Sequence, residues 1–296
     1  MKKVIELRSK GLNDTEVVKE LEKENMFFDP LTGDRGIGRR PTPEELKYLP
    51  NRLNRSIYQT PYSELNNNTI NGYAGNMGIL GHTTGTQTNV VFSTSQRYRQ
   101  IEGWMKPGSL AVMRGGTYRH LITTHATEEN YAGDWEEAGI VSWANEDGST
   151  TNYMLFTYTN IGDSWAFHGT VSSTSDVKLR IEIGVYDFYY QGYPYRVYFN
   201  DNWFRTVYIN RYNAIFDQSN EAWRSSEWDP YTVDTSHSIF HGSYLKTTDG
   251  TIIPWNNQID DYSYWAPYFN CPMGSSWRED QPGPTWTFES WVNPNN

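Results

Sequence analysis

The sequence predicts an all-β protein, an antiparallel, jelly-roll-like β-sandwich carrying a short helical segment at its N-terminus. Three observations predict it. Aromatic residues make up 16% of the 296-residue chain (12 Trp, 22 Tyr, 12 Phe), the residue types that suit pleated, half-buried surfaces. Asp176–Val185 (DVKLRIEIGV) alternates, with Val177, Leu179, Ile181, Ile183 and Val185 on one side. YRVYFNDNWFRTVYIN (195–210) reads as two strands joined at Asn200-Asp201-Asn202, a hairpin turn.

In chain order, residues 1–60 form the helical segment, expected to act as a propeptide, a docking element or a peg. Val4, Ile5 and Leu7 form an apolar cluster that ends at Gly11. Asn13 opens a second helix, with Asp14 in its first turn, Glu16 at the capping-box position and Val17, Val18 and Leu21 as its stripe. Thr42-Pro43-Glu44-Glu45 opens a third, with Thr as N-cap, Pro at N1 and Glu at N3. The stretch between them, residues 29–41, reads as a loop. Residues 61–106 read as a Gly/Asn-rich linker with a first strand at Asn89–Ser93. The sandwich then occupies 107–296. Residues 237–245 and 251–255 form a further hairpin across Thr247-Thr248-Asp249-Gly250.

Charge narrows the function classes. Residues 1–60 hold 12 Lys+Arg against 10 Asp+Glu; the rest of the chain holds 13 against 25. So acidic a body argues against nucleic acid, because neutralising phosphates needs clustered Lys and Arg. The single cysteine, Cys271, excludes an intramolecular disulfide, and its Pro/Gly-rich surroundings offer it no local base. No apolar stretch reaches the length of a membrane span. The start, MKKVIELRSKGLNDTE, has no apolar core of signal-peptide length. His82, His120, His125, His168, His237 and His241 show no metal-ligand spacing: on a strand, His237 and His241 would stand roughly 13 Å apart. Neither a metal nor a cofactor is expected. No serine nucleophile motif and no phosphate-binding glycine loop occur.

Carboxylates remain. Glu136-Glu137 run into the apolar segment Ala138-Gly139-Ile140-Val141, closed by Trp143, and Glu221 lies in FDQSNEAWRSSEW (216–228). Two carboxyl groups facing each other on a sheet can share a proton and so divide acid and base roles. Neighbours on a strand point to opposite faces, so at most one of Glu136 and Glu137 can serve such a pair.

At these motifs the chain resembles the glutamic peptidases of the neprosin and eqolisin families. The matching residues are Glu137-Ala138-Gly139 followed by Ile140-Val141-Ser142-Trp143, the Asn145–Gly148 turn with Asn152–Phe156 after it, and Asn220-Glu221-Ala222-Trp223, 84 residues downstream of Glu137. The resemblance covers roughly residues 107–260. It departs at Ala222, which separates Glu221 from Trp223 and keeps Glu227, beside Trp228, as a reserve.

The resemblance implies a secreted or extracellular β-sandwich endopeptidase that cuts peptide or protein substrates, including sites near proline. Glu137 and Glu221 would be its catalytic pair, one activating water and the other protonating the leaving group. Gln218 would polarise the carbonyl or hold the water. Trp143, Tyr153, Trp165, Tyr189 and Tyr190 would line a groove for the substrate. On this reading Glu137 points inward beside Glu221, and Glu136 points away, toward solvent or a basic partner. Two other readings stay open: a non-enzymatic structural or carbohydrate-binding module that self-assembles or docks through its N-terminal helices, and a glycosidase with carboxyl groups about 5–10 Å apart.

Overall fold

The computed structural model describes residues 2–46, 49, 86–94, 96–112, 119–128, 134–144, 152–224, 233–256, 261–266, 273–279 and 285–292. The described residues form two antiparallel sheets packed face to face. The first runs in the order β1 (Met26–Phe28), β2 (Arg35–Ile37), β12 (Asn202–Ile209), β11 (Tyr193–Phe199), β10 (Val177–Ile183), β4 (Gln100–Lys106), β14 (Val233–Lys246), β18 (Trp286–Val292), β17 (Met273–Glu279). Two short strands, β5 (Leu110–Val112) and β15 (Ile252–Pro254), also pair with β14. The second runs β16 (Asp261–Ala266), β3 (Thr86–Thr94), β13 (Ile215–Arg224), β6 (Arg119–Glu128), β7 (Glu136–Ala144), β8 (Asn152–Thr159), β9 (Ser164–Thr170).

The alternating segment becomes β10. Val177, Leu179, Ile181 and Ile183 are buried between the sheets, with half-buried residues between them. The expected face ends one repeat early, because β10 stops at Ile183 and Val185 stands 80% exposed in the loop beyond. Asn200 and Asp201 both take positive φ (48° and 64°), the mirror-image turn whose twist matches its flanking strands. Between the sheets lies one large core that includes Ile101, Ala138, Ile140, Leu179, Phe216 and Phe240.

The N-terminal helices form where their caps predict. Helix α1 (Lys2–Ser9) buries Val4 and Leu7, while Ile5 faces out at 61% exposure, since three-residue spacing keeps only the first two on one face. Helix α2 (Asp14–Lys23) has a complete capping box: Glu16 N–H donates to Asn13 Oδ1 (3.0 Å) and Asn13 N–H to Glu16 Oε2 (2.9 Å). Thr42 and Glu45 repeat that exchange at α3 (Pro43–Leu46), which lasts one turn.

Two differences from the sequence reading matter for the site. The expected loop 29–41 contains β2, and the β1–β2 hairpin extends the first sheet by pairing Gly36 with Arg205 and Arg35 with Thr206. These three-residue strands have too little length to show a period. They exist because the edge of β12 offers unpaired backbone groups. Secondly, residues 100–106, expected as linker, form β4, between β10 and β14 in the first sheet. Its inward alternation is interrupted by Gly103, where a Cβ would come within 2.6 Å of Ser243 Oγ.

Candidate functional site

Strand β7 has β6 on one side and β8 on the other, and both of its faces are covered. Glu136 and Glu137 are therefore both fully buried, on opposite faces. Glu137 shares its face with Val141 and Trp143, on the side of the second sheet turned away from the first. That outer face carries a second apolar cluster of Trp135, Val141, Trp143, Met154, Phe156, Tyr158, Trp165 and Phe167, with Leu49 of the N-terminal segment packed into it. The Tyr158 ring is the hub: its centroid lies 5.1 Å from Trp135 and 4.9 Å from Trp165. Tyr158 is also the direct cross-strand neighbour of Glu137.

On the other side of Glu137 the register runs Glu137, Ala126, Asp217. Asp217 is buried as well. Two strand spacings separate the backbones of Glu137 and Asp217 by about 10 Å, and the position between them is an alanine. Glu221 is not beside Glu137. It pairs with Ile122, which is opposite Val141, four residues along β7. Its backbone is therefore offset from that of Glu137 by roughly 13 Å along the strands in addition to the two strand spacings. The side chain of Glu221 lies outside the described residues, as do Glu227 and the Asn145–Gly148 turn.

The expected groove is only partly assembled. Trp143 and Trp165 lie on the Glu137 face. Tyr153 does not: opposite Ser142, it takes the other parity and packs against the inter-sheet core. Gln218 also points between the sheets, where its Nε2 donates to Ser243 Oγ (2.5 Å), so it cannot reach a substrate held by Glu137. One residue of strand parity separates Gln218 from Asp217 and decides the face. Tyr189 and Tyr190 belong to the loop between β10 and β11 on the first sheet, where Tyr190 stacks on Tyr208 (4.5 Å).

Glu136 points inward and finds a basic partner within the protein. Its Oε1 lies 3.9 Å from Nε of Arg205, a fully buried residue of β12. Arg205 is already bound by Asp34, through Nε–Oδ1 (2.9 Å) and Nη2–Oδ2 (2.8 Å), and it donates further to Thr157 Oγ1 (3.1 Å) and Ser164 O (3.0 Å). Arg40 reaches the same Asp34 Oδ2 (3.0 Å) and lies over the Phe27 ring. His168 closes the cluster, Nε2 to Thr157 Oγ1 (2.8 Å) and Nδ1 to the Ile37 carbonyl (2.5 Å).

Burial pushes Asp34 up, but the guanidiniums of Arg205 and Arg40 outweigh it and hold the carboxyl below its usual range. For Glu136 the balance reverses: burial dominates, Arg205 only partly opposes it, and the carboxyl is held well above its usual range. Burial also drives His168 down to about 3, which keeps it neutral. None of these network residues was singled out as a site residue by the sequence. Arg205 alone left a signal, as a charge in phase with Val207 and Ile209 on the buried side of β12.

An acid whose pKa is raised by folding keeps its proton in the native state while the unfolded chain loses it. Its penalty therefore grows as pH rises above the unfolded value, near 4.5. Gln has nearly the shape of the protonated acid and no such penalty. The stability of Glu136→Gln relative to the parent should rise by about 1.4 kcal/mol per pH unit above 4.5, until Glu136 itself ionises in the native state. Urea unfolding of both proteins at pH 4, 5 and 6 measures it; parallel pH profiles would contradict it.

Among the described residues, no three histidine, cysteine or acidic side chains are grouped to hold a metal ion, and no helix is long and apolar enough to cross a membrane.

No protein-family model matches the chain, and no curated protein matches it. Among solved structures, it is similar to a scytalido-glutamic peptidase bound to a peptide-based transition state analogue, with a TM-score of 0.39 and 8% identity over 72% of this chain and 100% of that one. It is also similar to an alginate lyase from Alteromonas sp. 272 (TM-score 0.20, 16% identity, 52% of this chain and 60% of that one). A beta-porphyranase from Bacteroides plebeius gives a TM-score of 0.18 at 7% identity, over 70% of this chain and 68% of that one.

Proposed function

We propose that the chain is a hydrolase of the glutamic-peptidase type, with its reactive carboxylates on the outer face of the second sheet. The observation that carries the reading is the row Glu137, Ala126, Asp217: two buried acids two strands apart, one of them beside Tyr158 and the aromatic wall. The resemblance around Glu137-Ala138-Gly139 supplies the substrate class, an extended peptide.

In this reading one carboxylate removes a proton from water as the water oxygen attacks the scissile carbonyl carbon. The other, protonated, gives its proton to the amide nitrogen as the C–N bond breaks. An acidic medium suits this division, because one acid of the pair must hold a proton. Trp143 and Trp165 provide apolar surface for substrate side chains, and Leu49, now seated in that wall, must move for a peptide to enter.

The test is cleavage of an unfolded protein such as reduced casein at pH 3–5. Glu137→Gln should abolish turnover, while Glu136→Gln, on the opposite face, should retain it. Unchanged turnover in Glu137→Gln removes the reading, as does a Leu49→Ala variant, its wall loosened, that cuts no peptide.

A further inference from the structure

At one end of the first sheet, away from the Glu137 face, Arg99, Arg196 and Lys246 converge on a cleft of about 450 Å³. They come from three separate places: the residue before β4, the middle of β11 and the end of β14. On the same sheet Lys178 and Arg180 both meet Glu102 (3.2 and 3.7 Å). Among the described residues, Arg99, Arg196 and Lys246 are in no ion pair. Two acids also line the cleft, Glu182 and Asp249, but Asp249 is occupied in its own turn, accepting from Thr247 Oγ1 and from Thr251 N–H (3.1 Å).

The cleft is shaped for its cations. Arg99 is pinned by donating Nη2 to the carbonyls of Ile183 (3.1 Å) and Gly184 (2.9 Å), while its buried Nε has no hydrogen-bond partner among the described residues. Gly184 lets Arg196 lie against the backbone, since a Cβ there would come within 2.6 Å of Nη1. Glu182, the cross-strand neighbour of Arg196, is then the one carboxylate left facing three cations, and in a chain whose residues 61–296 hold 13 basic against 25 acidic residues that excess in one cleft calls for an anionic ligand.

The loop that walls this cleft also exposes large apolar side chains. Val185 lines the cleft and is 80% exposed, and Phe188 is 87% exposed. Rings continue from there: Tyr186 meets Phe188 (5.2 Å) and Tyr193 (5.1 Å) edge-on, and Tyr193 leads to the exposed Tyr212 (6.3 Å). A solvent-facing aromatic row beside a cationic cleft is a recognition surface rather than an accident of composition.

Its backbone narrows the partner. Asp187 and Gly192 exchange N–H···O bonds, and Asp187 Oδ1 accepts from the amides of Tyr189 and Tyr190. The amides of Asp187, Tyr189, Tyr190 and Gly192 are thus taken within the loop and are closed to an added peptide strand, the usual means of holding an extended peptide. Flat ring faces and guanidiniums remain. Ring faces stack against the C–H faces of sugar rings, and guanidinium and ammonium groups take carboxylates.

We propose that this surface binds an acidic polysaccharide, with uronate carboxylates in the Arg99–Arg196–Lys246 cleft and pyranose rings on the Tyr186–Phe188 row. The inference is independent of the peptidase reading.

Polygalacturonate is the probe, with neutral dextran and poly-L-glutamate as comparators, in affinity electrophoresis and titration calorimetry at 20 and 150 mM salt. The expected result is binding to polygalacturonate and not to dextran. Arg196→Ala with Lys246→Ala should weaken it at least tenfold. Phe188→Ala, at a position too exposed to unfold the protein, should weaken it about fivefold without changing its salt dependence. Thermal melting checks that the cation variants stay folded. No binding to polygalacturonate overturns the proposal. So does equal binding to poly-L-glutamate with no loss in Phe188→Ala, the behaviour of an anion patch for acidic peptides.

Discussion

Asp34→Ala lowers the stability of the protein by about 3–5 kcal/mol, the range for removing one partner of a buried ion pair. The size follows from what is left behind. Arg205 is fully buried and keeps its charge, with Asp34 supplying both of its carboxylate bonds. Glu136 stands 3.9 Å away but is held in its protonated form by burial, so it compensates poorly. The substitution therefore strands one cation between the sheets and loosens a second, Arg40, from Asp34 Oδ2. Asp34→Asn keeps an acceptor and should cost less. Asp34→Ala with Arg205→Met removes both charges and should recover most of the loss, since an apolar replacement of a buried pair is often neutral.

The pH dependence has a definite sign. Folding depresses the pKa of Asp34, so its contribution is complete above the unfolded value of 3.8 and disappears as pH falls through the lower folded value. His168 acts in the same sense from a higher pH. Neutral in the fold, it makes the native state bind fewer protons than the unfolded chain between about 3 and 6.5, so stability falls on acidification. Urea midpoints of parent, single and double variants between pH 3 and 7 measure these effects. A loss below 1 kcal/mol in Asp34→Ala would mean that the ion pair does not tie the N-terminal segment to the sandwich.

This ion pair also bears on how the N-terminal residues are regarded. Residues 26–40 contribute two strands, the counter-charge of Arg205 and a backbone bridge between Arg39 and Phe167 at the edge of β9. The helices were legible because caps and stripes are local signals: Asn13 and Glu16 lie three residues apart, and so do Thr42 and Glu45. The hairpin at 26–37 was not, because its strands are held by β12, some 170 residues away in sequence. The same contrast explains β10 and β4. Alternation over seven residues identifies β10. Gly103 breaks the alternation of β4 to make room for Ser243, which in turn receives Gln218 from the opposite sheet. Gln218 thus reads as a substrate-facing amide in one dimension and is an inter-sheet bond in three. The doublet Glu136-Glu137 was legible in one respect, that its members must part to opposite faces. That both would be buried was not, because it depends on Arg205 and on the wall around Tyr158.

The second large effect concerns which acid works with Glu137. In the proposed peptidase, Asp217→Asn reduces kcat/KM at pH 3–5 by at least about a hundredfold, and Glu221→Gln by less than about tenfold. Removing a proton donor or acceptor that acts in the transition state costs 10²–10⁴-fold. A carboxyl group that only tunes the field around the reaction costs far less. Register makes the choice. Asp217 lies in the same row as Glu137, with Ala126 between them and their backbones about 10 Å apart, and the proposed mechanism requires their side chains to lean toward each other over one water and one scissile bond. Glu221 starts four residues further along, a displacement of about 13 Å that two glutamate side chains do not span. Sequence favours Glu221 because it stands close before a tryptophan, with Ala222 between, in the second motif of the resemblance. Geometry favours Asp217 because a bimolecular proton transfer is governed by distance before pKa. Both variants are needed, together with Glu137→Gln. If Glu221→Gln is inactive and Asp217→Asn is active, β13 pairs with β6 four residues away from the register described. If both retain activity while Glu137→Gln loses it, the second proton comes from a group other than a β13 carboxylate.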